Sequence, residues 1–426
     1  MSDNEPMTRL DRVILILAVA WAVAILLFLA AVAFATDTTR QLSHSQPFSE
    51  IYLASSFPQA TSTHAVYVQD AVTNGAHELW SVALAGGVPV RLSNALAPNQ
   101  SVEFQISADG QRVVYRTDQT TRGVPEVYSV PIGGGTITKL NKDLAPANGR
   151  VRDFIISPAS QRVYYAADAD LFTVLELWSV PIVGGPSTRI NKAFPVDYDV
   201  FENYQASAAD QVVYRVGRTV QGGHELWAVP GGGHGSQARR ISISPMVTGG
   251  GVASDFQIVG DHVVYRADAL DNGREDLFSV AVAGGVSTRI DRQDGRSVRK
   301  FVVDGESVVY SYTNSEWYRV PILGGASVAV APPVMPPVTS PDGRYRVYEV
   351  GASLWREDFQ TGLHRRVSCL GQAVQATWLG RPTYSVTPDS QTVIYVAGEL
   401  WASPVSGAVC ALFSDGFEAG NQGAWQ

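Results

Sequence analysis

The sequence predicts an all-β protein that folds as a β-propeller, and three observations lead to this prediction. A β-branched or aromatic residue followed by tyrosine returns along the chain at intervals of 38 to 51 residues. An acidic–apolar–aromatic motif, and then one or two glycines, follow most of these tyrosines in the same order. Four short strands in every roughly 40–50 residues are typical of one propeller blade. The repeated tyrosines are Tyr67, Tyr115, Tyr165, Tyr214, Tyr265, Tyr310, Tyr348 and Tyr395.

The second copy, residues 103–140, shows how each blade is expected to be built. Asp109-Gly110 and the glycines at 133–135 supply turns, because glycine adopts the positive φ angles that tight hairpins require. The stretches between these turns are rich in Val, Tyr and Thr, which favour strands. We therefore predict four strands, at residues 104–106, 112–116, 126–132 and 136–140.

The acidic–apolar–aromatic motif marks the third strand of each copy. It weakens to Glu316-Trp317-Tyr318 and then to Leu354-Trp355, and it returns in the last copy. Eight copies predict eight blades, and seven blades is the alternative because the last two copies are shorter. The full motifs begin at Glu78, Glu126, Glu176, Glu225, Asp276 and Glu399. In copies two, four and five an arginine lies ten residues before the acid, which predicts the cross-strand ion pairs Arg116–Glu126, Arg215–Glu225 and Arg266–Asp276.

Composition and charge exclude several classes of protein. Apolar residues make up 45% of the 426 residues and charged residues 17%, which excludes a disordered, highly charged chain. The formal net charge is −8, whereas nucleic-acid binders usually carry an excess of basic residues. We therefore predict no nucleic-acid partner.

The N-terminal sequence predicts that the protein is attached to a membrane. Residues 13–35 form an uncharged run of 23 residues, long enough as a helix to cross the roughly 30 Å core of a bilayer. Arg9 and Arg12 precede the run and favour a cytoplasmic N-terminus, residues 1–12. The rest of the chain is then expected on the periplasmic or extracytoplasmic side, tethered by a linker at residues 36–49. The alternative is secretion after cleavage near Ala35, where Ala33-Phe34-Ala35 fits a small-x-small site.

Three stretches of the chain resemble the WD40-like repeats of the TolB-type propeller family. They are SPDGRYRVYEV at 340–350, TPDSQTVIYV at 387–396 and LWSVPIVGGPSTRIN at 177–191. The resemblance covers residues 50–413 and implies a propeller in an envelope protein. TolB itself carries an α/β domain before its propeller, and about 15 residues between span and first blade leave no room for one here. Residues 414–426 form a glycine-containing tail.

A ring of polar residues at the start of the first strands is the candidate ligand site. In a propeller the first strand lines the central channel, so one residue per blade at the same height would surround the channel mouth. These residues are Glu103, Asp153, Asn203, Asp255 and Lys300. Such a ring could hold a cation or a basic peptide, and the alternative is that each acid caps amides of its own loop. The ligand spacing of an EF-hand is absent, and we assign no metal site and no cofactor.

The loops between second and third strands carry a second acidic set, expected to gather on one face. Its members are Asp70, Asp118, Asp168, Asp170, Asp268, Asp271 and Glu275. This face could bind a basic partner or simply be a solvated rim. His77 and His224, at equivalent positions of two copies, are expected to be solvated. Cys369 and Cys410 could form a disulfide outside the cytoplasm, or be two buried thiols.

Catalytic motifs are missing from the sequence. The chain contains no G-x-S-x-G nucleophile elbow, and we assign no catalytic residue. We therefore predict an envelope-anchored propeller that binds a protein or peptide partner as a scaffold and is not an enzyme. The alternative is a channel-sited lyase or hydrolase, dependent on a metal held by Glu103, Asp153 and Asp255.

Overall fold

The protein is described by a computed structural model over residues 40–43 and 58–404, apart from 71, 73, 146–148, 171–173, 196–197, 202, 219–221, 244–249, 314–315, 331–337, 340–343, 351–352, 359–363, 368–376, 379–380, 383, 390 and 398. These residues form 35 short strands and one 3-10 turn, Gly235–Gln237. The predicted span 13–35, its cleavage site, the tail 414–426 and both cysteines lie outside the described residues. Within the described part of the chain, no helix is long and apolar enough to cross a membrane.

The strands form a series of antiparallel sheets, which we number 1 to 8 in chain order. Sheet 1 contains β2 (Gln59–Ala60), β3 (His64–Gln69), β4 (Glu78–Ala83) and β5 (Val90–Arg91). Sheet 2 contains β6 (Glu103–Ile106), β7 (Arg112–Thr117), β8 (Glu126–Pro131) and β9 (Thr138–Lys139). Sheet 3 contains β10 (Val151–Ile156), β11 (Arg162–Ala167), β12 (Glu176–Pro181) and β13 (Thr188–Arg189). Sheet 4 contains β14 (Tyr198–Val200), β15 (Gln205–Ala206), β16 (Gln211–Arg218), β17 (Gly222–Pro230) and β18 (Arg239–Arg240).

The second half of the chain continues the series. Sheet 5 contains β19 (Gln257–Val259), β20 (His262–Ala267), β21 (Asp276–Ala281) and β22 (Thr288–Arg289). Sheet 6 contains β23 (Lys300–Asp304), β24 (Ser307–Ser311), β25 (Trp317–Pro321) and β26 (Val328–Val330). Sheet 7 contains β27 (Val338–Thr339), β28 (Tyr345–Val350), β29 (Ser353–Asp358) and β30 (His364–Arg366). A separate hairpin, β31 (Thr377–Trp378) with β32 (Arg381–Pro382), precedes sheet 8, which contains β33 (Tyr384–Val386), β34 (Thr392–Ala397), β35 (Glu399–Pro404) and the N-terminal β1 (Arg40–Gln41).

Neighbouring sheets pack face to face, and this arrangement makes the fold a β-propeller. Clusters of buried apolar side chains join sheet 1 to 2, 2 to 3, 3 to 4, 4 to 5, 5 to 6 and 7 to 8. A further cluster joins sheet 8 to sheet 1, with Leu42, Tyr67 and Ile394 among its members. The predicted strands of the second copy are confirmed to within one residue at each end, except that β9 begins two residues later than predicted.

The N-terminus closes the last sheet. Arg40 and Gln41 pair with Ala402 and Trp401 of β35, so β1 is the outer strand of sheet 8. Residues 36–49 were expected to be a linker, and the structure differs because part of that range is a strand. A sheet edge exposes unpaired backbone groups, and the added strand covers the edge of β35.

In sheets 3 to 6 the repeated tyrosine links the sheet to the one before it. The Lys142 amide, which follows sheet 2, donates to the Tyr165 hydroxyl of sheet 3 at 3.2 Å. The same bond joins the Lys192 amide to Tyr214 at 3.1 Å, and it recurs from Ile243 to Tyr265 and from Arg292 to Tyr310. In these four sheets the tyrosine therefore recurs with the period of the sheets because its hydroxyl bonds one sheet to the preceding segment.

Candidate functional site

A cavity of about 480 Å³ opens where sheets 3, 4 and 5 meet, and it is the candidate ligand site. Arg152, Asp168 and Leu175 of sheet 3 line one side. Sheet 4 supplies Asp199, Val200, Phe201, Asn203 and Arg215, and Ser254 lies before sheet 5. We call it the Arg215 cavity.

An interruption of the first strand of sheet 4 places these side chains at the cavity. Sheet 4 has two short pieces, β14 and β15, that pair with different parts of β16, and sheet 5 is interrupted in a similar way, because Val252 bridges Ala267 separately from β19. The residues between them include Asn203 and also Phe201, whose amide still donates to the Arg215 carbonyl at 3.0 Å. The Val200 amide donates to the Leu175 carbonyl and the Leu175 amide to Asp199 Oδ1, both across the junction of sheets 3 and 4. The extra residues therefore line a cavity between sheets that pack closely elsewhere.

Arg215 lies in this cavity without a carboxylate partner among the described residues. Its Cζ atom is 4.3 Å from the centre of the Phe201 ring, and its Nη1 donates to the Val252 carbonyl at 3.1 Å. Its Nε is buried and has no hydrogen-bond partner within the described part of the chain, and the same is true of Asn203 Oδ1. Burial lowers the pKa of Arg215, an effect that the charge of Asp255 opposes in part.

Two equivalent arginines, in sheets 2 and 5, show what is different about Arg215. Arg116 bonds to the Val151 carbonyl of the next sheet and forms an ion pair with Glu103 at 2.7 Å. Arg266 bonds to the Val298 carbonyl and forms an ion pair with Asp255 at 2.9 Å. Arg215 makes the same bond to a carbonyl of the next sheet, but Asn203 stands where the other sheets have an acid. The arginine thus joins its sheet to the next one in all three cases.

The other charged groups that line the cavity have partners in the protein. Arg152 forms an ion pair with Asp168 at 2.9 Å, and Asp168 is buried. Asp199 accepts the Leu175 amide at 3.0 Å. The imidazole of His224 packs edge-on against Phe201 at 4.9 Å between ring centres.

The predicted ring at the channel mouth is only partly a common site. Asn203 lines the Arg215 cavity, while Glu103 lines a separate pocket of about 140 Å³ beside its partner Arg116. Asp255 is bound to Arg266, and Asp153 accepts the amide of Phe154 at 2.7 Å. Lys300 is exposed at the start of β23. Asp153 thus caps a backbone amide of its own sheet, which was the alternative to a ligand-binding ring. Glu103 and Asp255 instead form ion pairs within their own sheets.

The acidic loop residues are held by groups of their own loops or sheets. Asp70, Asp118 and Asp268 each accept the amide of a glycine five residues later: Gly75, Gly123 and Gly273. The remaining four form ion pairs: Asp168 with Arg152, Asp170 with Lys142, Asp271 with Arg274 and Glu275 with Arg266. Whether this face also meets a basic partner stays a prediction.

The prediction of ion pairs between second-strand arginines and third-strand acids was wrong. The register aligns Arg116 with Val127, and Glu126 lies opposite Thr117, so the two charges point to opposite faces of the sheet. The outer strand supplies the partner instead. The pairs are Glu78–Arg91, Glu126–Lys139, Glu176–Arg189, Glu225–Arg240 and Asp276–Arg289.

The sequence analysis did not identify four of the residues that line the cavity as parts of a ligand site: Arg215, Phe201, Arg152 and Asp199. A signal for Arg215 was present, because an acid precedes the equivalent arginine by 13 residues in Glu103–Arg116 and by 11 in Asp255–Arg266, while Asn203 precedes Arg215 by 12. The described residues contain no group of three or more His, Cys, Asp or Glu side chains that could hold a metal ion.

Comparisons with known proteins support the fold and not a function. No family model and no curated protein matches the chain. A structure of Porphyromonas gingivalis dipeptidyl peptidase 4 has a TM-score of 0.53 at 12% identity, over 76% of this chain and 53% of that one. An oligogalacturonate lyase in complex with manganese has a TM-score of 0.47 at 12% identity, over 87% and 98% of the two chains. A TolB-type structure from Agrobacterium tumefaciens has a TM-score of 0.32 at 14% identity, over 74% and 92%.

These similarities bear on the fold alone, because identities this low say nothing about chemistry. The chain spans about half the length of the peptidases that it matches, 53% of the Porphyromonas gingivalis enzyme and 54% of a prolyl endopeptidase. The TolB-type affiliation that the repeats suggest stays a prediction.

Proposed function

We propose that the chain is an envelope-anchored β-propeller that acts as a binding module outside the cytoplasm, with the Arg215 cavity as its ligand site. The observation that carries this proposal is a cavity of about 480 Å³ where sheets 3, 4 and 5 meet, in which the Arg215 guanidinium lies beside the Phe201 ring. The eight sheets would be eight blades of one closed ring. The uncharged run at 13–35 supports the anchor, and a protein or peptide is the kind of partner we expect.

An enzyme with a metal in the channel is the competing function. It requires Glu103, Asp153 and Asp255 to turn toward one ion. Two of these carboxylates are held by arginines of their own sheets, and the third accepts the amide of Phe154. We therefore favour a binding module over a metal-dependent lyase or hydrolase.

Elemental analysis of the purified full-length chain separates the two functions. The binding module predicts no stoichiometric metal, either in the native chain or in Asp153→Ala. One bound metal per chain, lost in Asp153→Ala, would contradict the binding module and favour the enzyme. Protease treatment of intact spheroplasts tests the location, since an extracytoplasmic propeller is cleaved without lysis and a cytoplasmic one is not.

A further inference from the structure

We propose that the anchored propeller contacts the lipid bilayer through the hairpins that join its third and fourth strands. The hairpins of sheets 1 to 6 are described, and together we call them the hairpin face: residues 84–89, 132–137, 182–187, 231–238, 282–287 and 322–327. The proposal rests on the proposed function, because it takes residues 13–35 as the anchor, and it adds the orientation of the propeller.

The described hairpins lie side by side at one end of the sheets. In four of them a glycine faces the start of the fourth strand of the preceding sheet, and a side chain there would come within 4 Å of that strand. The glycines with these neighbours are Gly134 with Val90, Gly184 with Thr138, Gly284 with Arg239 and Gly324 with Thr288. The Ser179 hydroxyl of sheet 3 donates to the Gly231 carbonyl in the hairpin of sheet 4 at 2.7 Å. The six hairpins therefore form one continuous surface.

The N-terminal strand begins at the hairpin face. β1 pairs with β35 in the register in which the fourth strand of sheet 1 pairs with the third. The facing residues are Arg40–Ala402 and Gln41–Trp401 in sheet 8, and Val90–Ser81 and Arg91–Trp80 in sheet 1. β1 thus takes the place of a fourth strand, and the fourth strands of sheets 1 to 6 begin at the hairpin face. The chain therefore enters the propeller at this end.

The tether between the anchor and β1 is too short to reach the other end of the propeller. The uncharged run ends at Ala35 and β1 begins at Arg40, a distance of at most about 18 Å in a fully extended chain. Six-residue strands such as β4 and β12 span about 20 Å between the two ends of their sheets. With residues 13–35 in the bilayer, the hairpin face lies beside the membrane and the acidic loops lie at the far end.

The chemistry of the hairpin face suits a lipid surface. The six hairpins contain no Asp, Glu, Lys or Arg, and four of them expose a large aliphatic side chain. These side chains and their exposed fractions are Val88 at 86%, Val183 at 65%, Val286 at 90% and Leu323 at 74%. Exposed apolar side chains can insert at the boundary between lipid headgroups and acyl chains. The anchor holds the face close to the bilayer, so a weak affinity of each hairpin is sufficient.

Carboxylates at the same end select the kind of lipid. The turns between first and second strands also lie at this end, because the second strand begins opposite the end of the third. They carry the exposed acids Asp109, Asp261 and Glu306. Negative charges beside the bilayer repel anionic headgroups. We therefore expect the hairpin face to contact zwitterionic lipid such as phosphatidylcholine, and to contact phosphatidylglycerol less closely.

Fluorescence of the full-length chain in phosphatidylcholine nanodiscs tests this proposal. An environment-sensitive probe is attached at Leu323→Cys or at Leu270→Cys, in a chain whose Cys369 and Cys410 are replaced by serine. Leu270 is the matched control, because it is an exposed leucine of an acidic loop at the far end. We expect lipids with a nitroxide in the headgroup to quench the Leu323 probe at least about threefold more strongly than the Leu270 probe, because only the former lies at the bilayer. Phosphatidylglycerol in place of phosphatidylcholine should reduce this quenching.

The aliphatic tips provide a second test. Val88→Asp combined with Val286→Asp places two charges on the hairpin face and should bring the quenching at position 323 down toward that at position 270. Val72→Asp, at an exposed valine of an acidic loop, should leave it unchanged. Both substitutions are at exposed side chains, so melting curves should match that of the native chain.

Three results would overturn the proposal. They are equal quenching of the two probes, stronger quenching at position 270, and a probe at position 323 that is shielded from aqueous iodide but not quenched by the lipid, which would show that protein covers this face. Carbonate extraction of native membranes tests the anchor separately. A chain that resists extraction and shows equal quenching contradicts the hairpin face alone, whereas a chain that is released contradicts the anchor and the hairpin face together.

Discussion

At the residue scale, one residue can both join two sheets and balance a charge. Lys142 donates its amide to Tyr165, places its ammonium 4.5 Å above the Trp178 ring and pairs with Asp170. Lys192 repeats the first two contacts with Tyr214 and Trp227. The aromatic residue of the third-strand motif is therefore part of the junction between sheets.

The contribution of one such aromatic residue can be measured. Trp178 is 5% exposed and belongs to the cluster that joins sheets 2 and 3. We expect Trp178→Ala to lower the free energy of unfolding by about 3–5 kcal/mol, because it leaves a large cavity at the junction. Urea denaturation measures the change, and Val183→Ala is the control, since Val183 is 65% exposed. Equal stability of the two variants would show that the ring does not hold the sheets together.

His224 should make stability depend on pH. Burial, together with the nearby Arg215 guanidinium, lowers the pKa of His224 below its ordinary 6.5, with Asp268 opposing. The unfolded chain then takes up a proton first as the pH falls, so stability is full above about pH 6.5 and decreases below it. Burial also lowers the pKa of His77, so the expectation that both histidines are simply solvated was wrong: both are half-buried.

Denaturation at pH 7.5 and pH 5.5 checks this pH dependence. We expect the native chain to lose stability at the lower pH, and His224→Gln to lose less. A stability difference between the two pH values that is the same in His224→Gln would show that His224 does not contribute.

At the element scale, β1 is the short strand by which the N-terminal segment joins sheet 8. Leu42 follows β1, is 3% exposed and packs with Tyr67 of sheet 1 and Ile394 of sheet 8. We expect Leu42→Ala to destabilise the protein by about 2–5 kcal/mol, which is the usual cost for a buried leucine. Thermal unfolding measures it, with Leu323→Ala at an exposed hairpin as the matched control. If the two variants melt together, Leu42 does not help to hold sheets 8 and 1 together.

Strand positions could be predicted from the sequence because each depends on local signals. The Gly-Gly pair of sheet 3 illustrates this, since Gly184 and Gly185 have φ angles of 98° and 139°, which other residues rarely adopt. The partners of the third-strand acids could not be predicted in this way. They depend on pairing register, and a shift of one residue moves a side chain to the other face of the sheet.

The candidate site was harder to predict than the fold for a similar reason. The ring at the channel mouth assumed that every first strand is continuous, so that equivalent residues lie at one height. In sheet 4 the strand is divided into β14 and β15, and Phe201 and Asn203 lie between the two pieces. Only the three-dimensional arrangement shows that this interruption opens a cavity beside Arg215.

At the scale of the whole molecule, the repeat allows the junctions between neighbouring sheets to be compared with one another. In three first strands a glutamine side chain bonds to the next sheet twice, because its NH2 group donates to one backbone carbonyl and its oxygen accepts from one backbone amide. The glutamines with their carbonyl and amide partners are Gln59 with Phe104 and Ile106, Gln105 with Phe154 and Ile156, and Gln205 with Phe256 and Ile258. Sheet 3 has Ile155 at the equivalent position, so this bridge is not made to sheet 4. The cavity thus lies beside the junction of sheets 3 and 4, at which this glutamine bridge is not made.

The central claim is that the chain is a binding module and not a metal-dependent enzyme, and elemental analysis of the purified full-length chain tests it most directly. We predict no stoichiometric metal in the native chain or in Asp153→Ala, because the carboxylates of Glu103, Asp153 and Asp255 are each held by groups of their own sheets. One bound metal per chain that is lost in Asp153→Ala would contradict the claim.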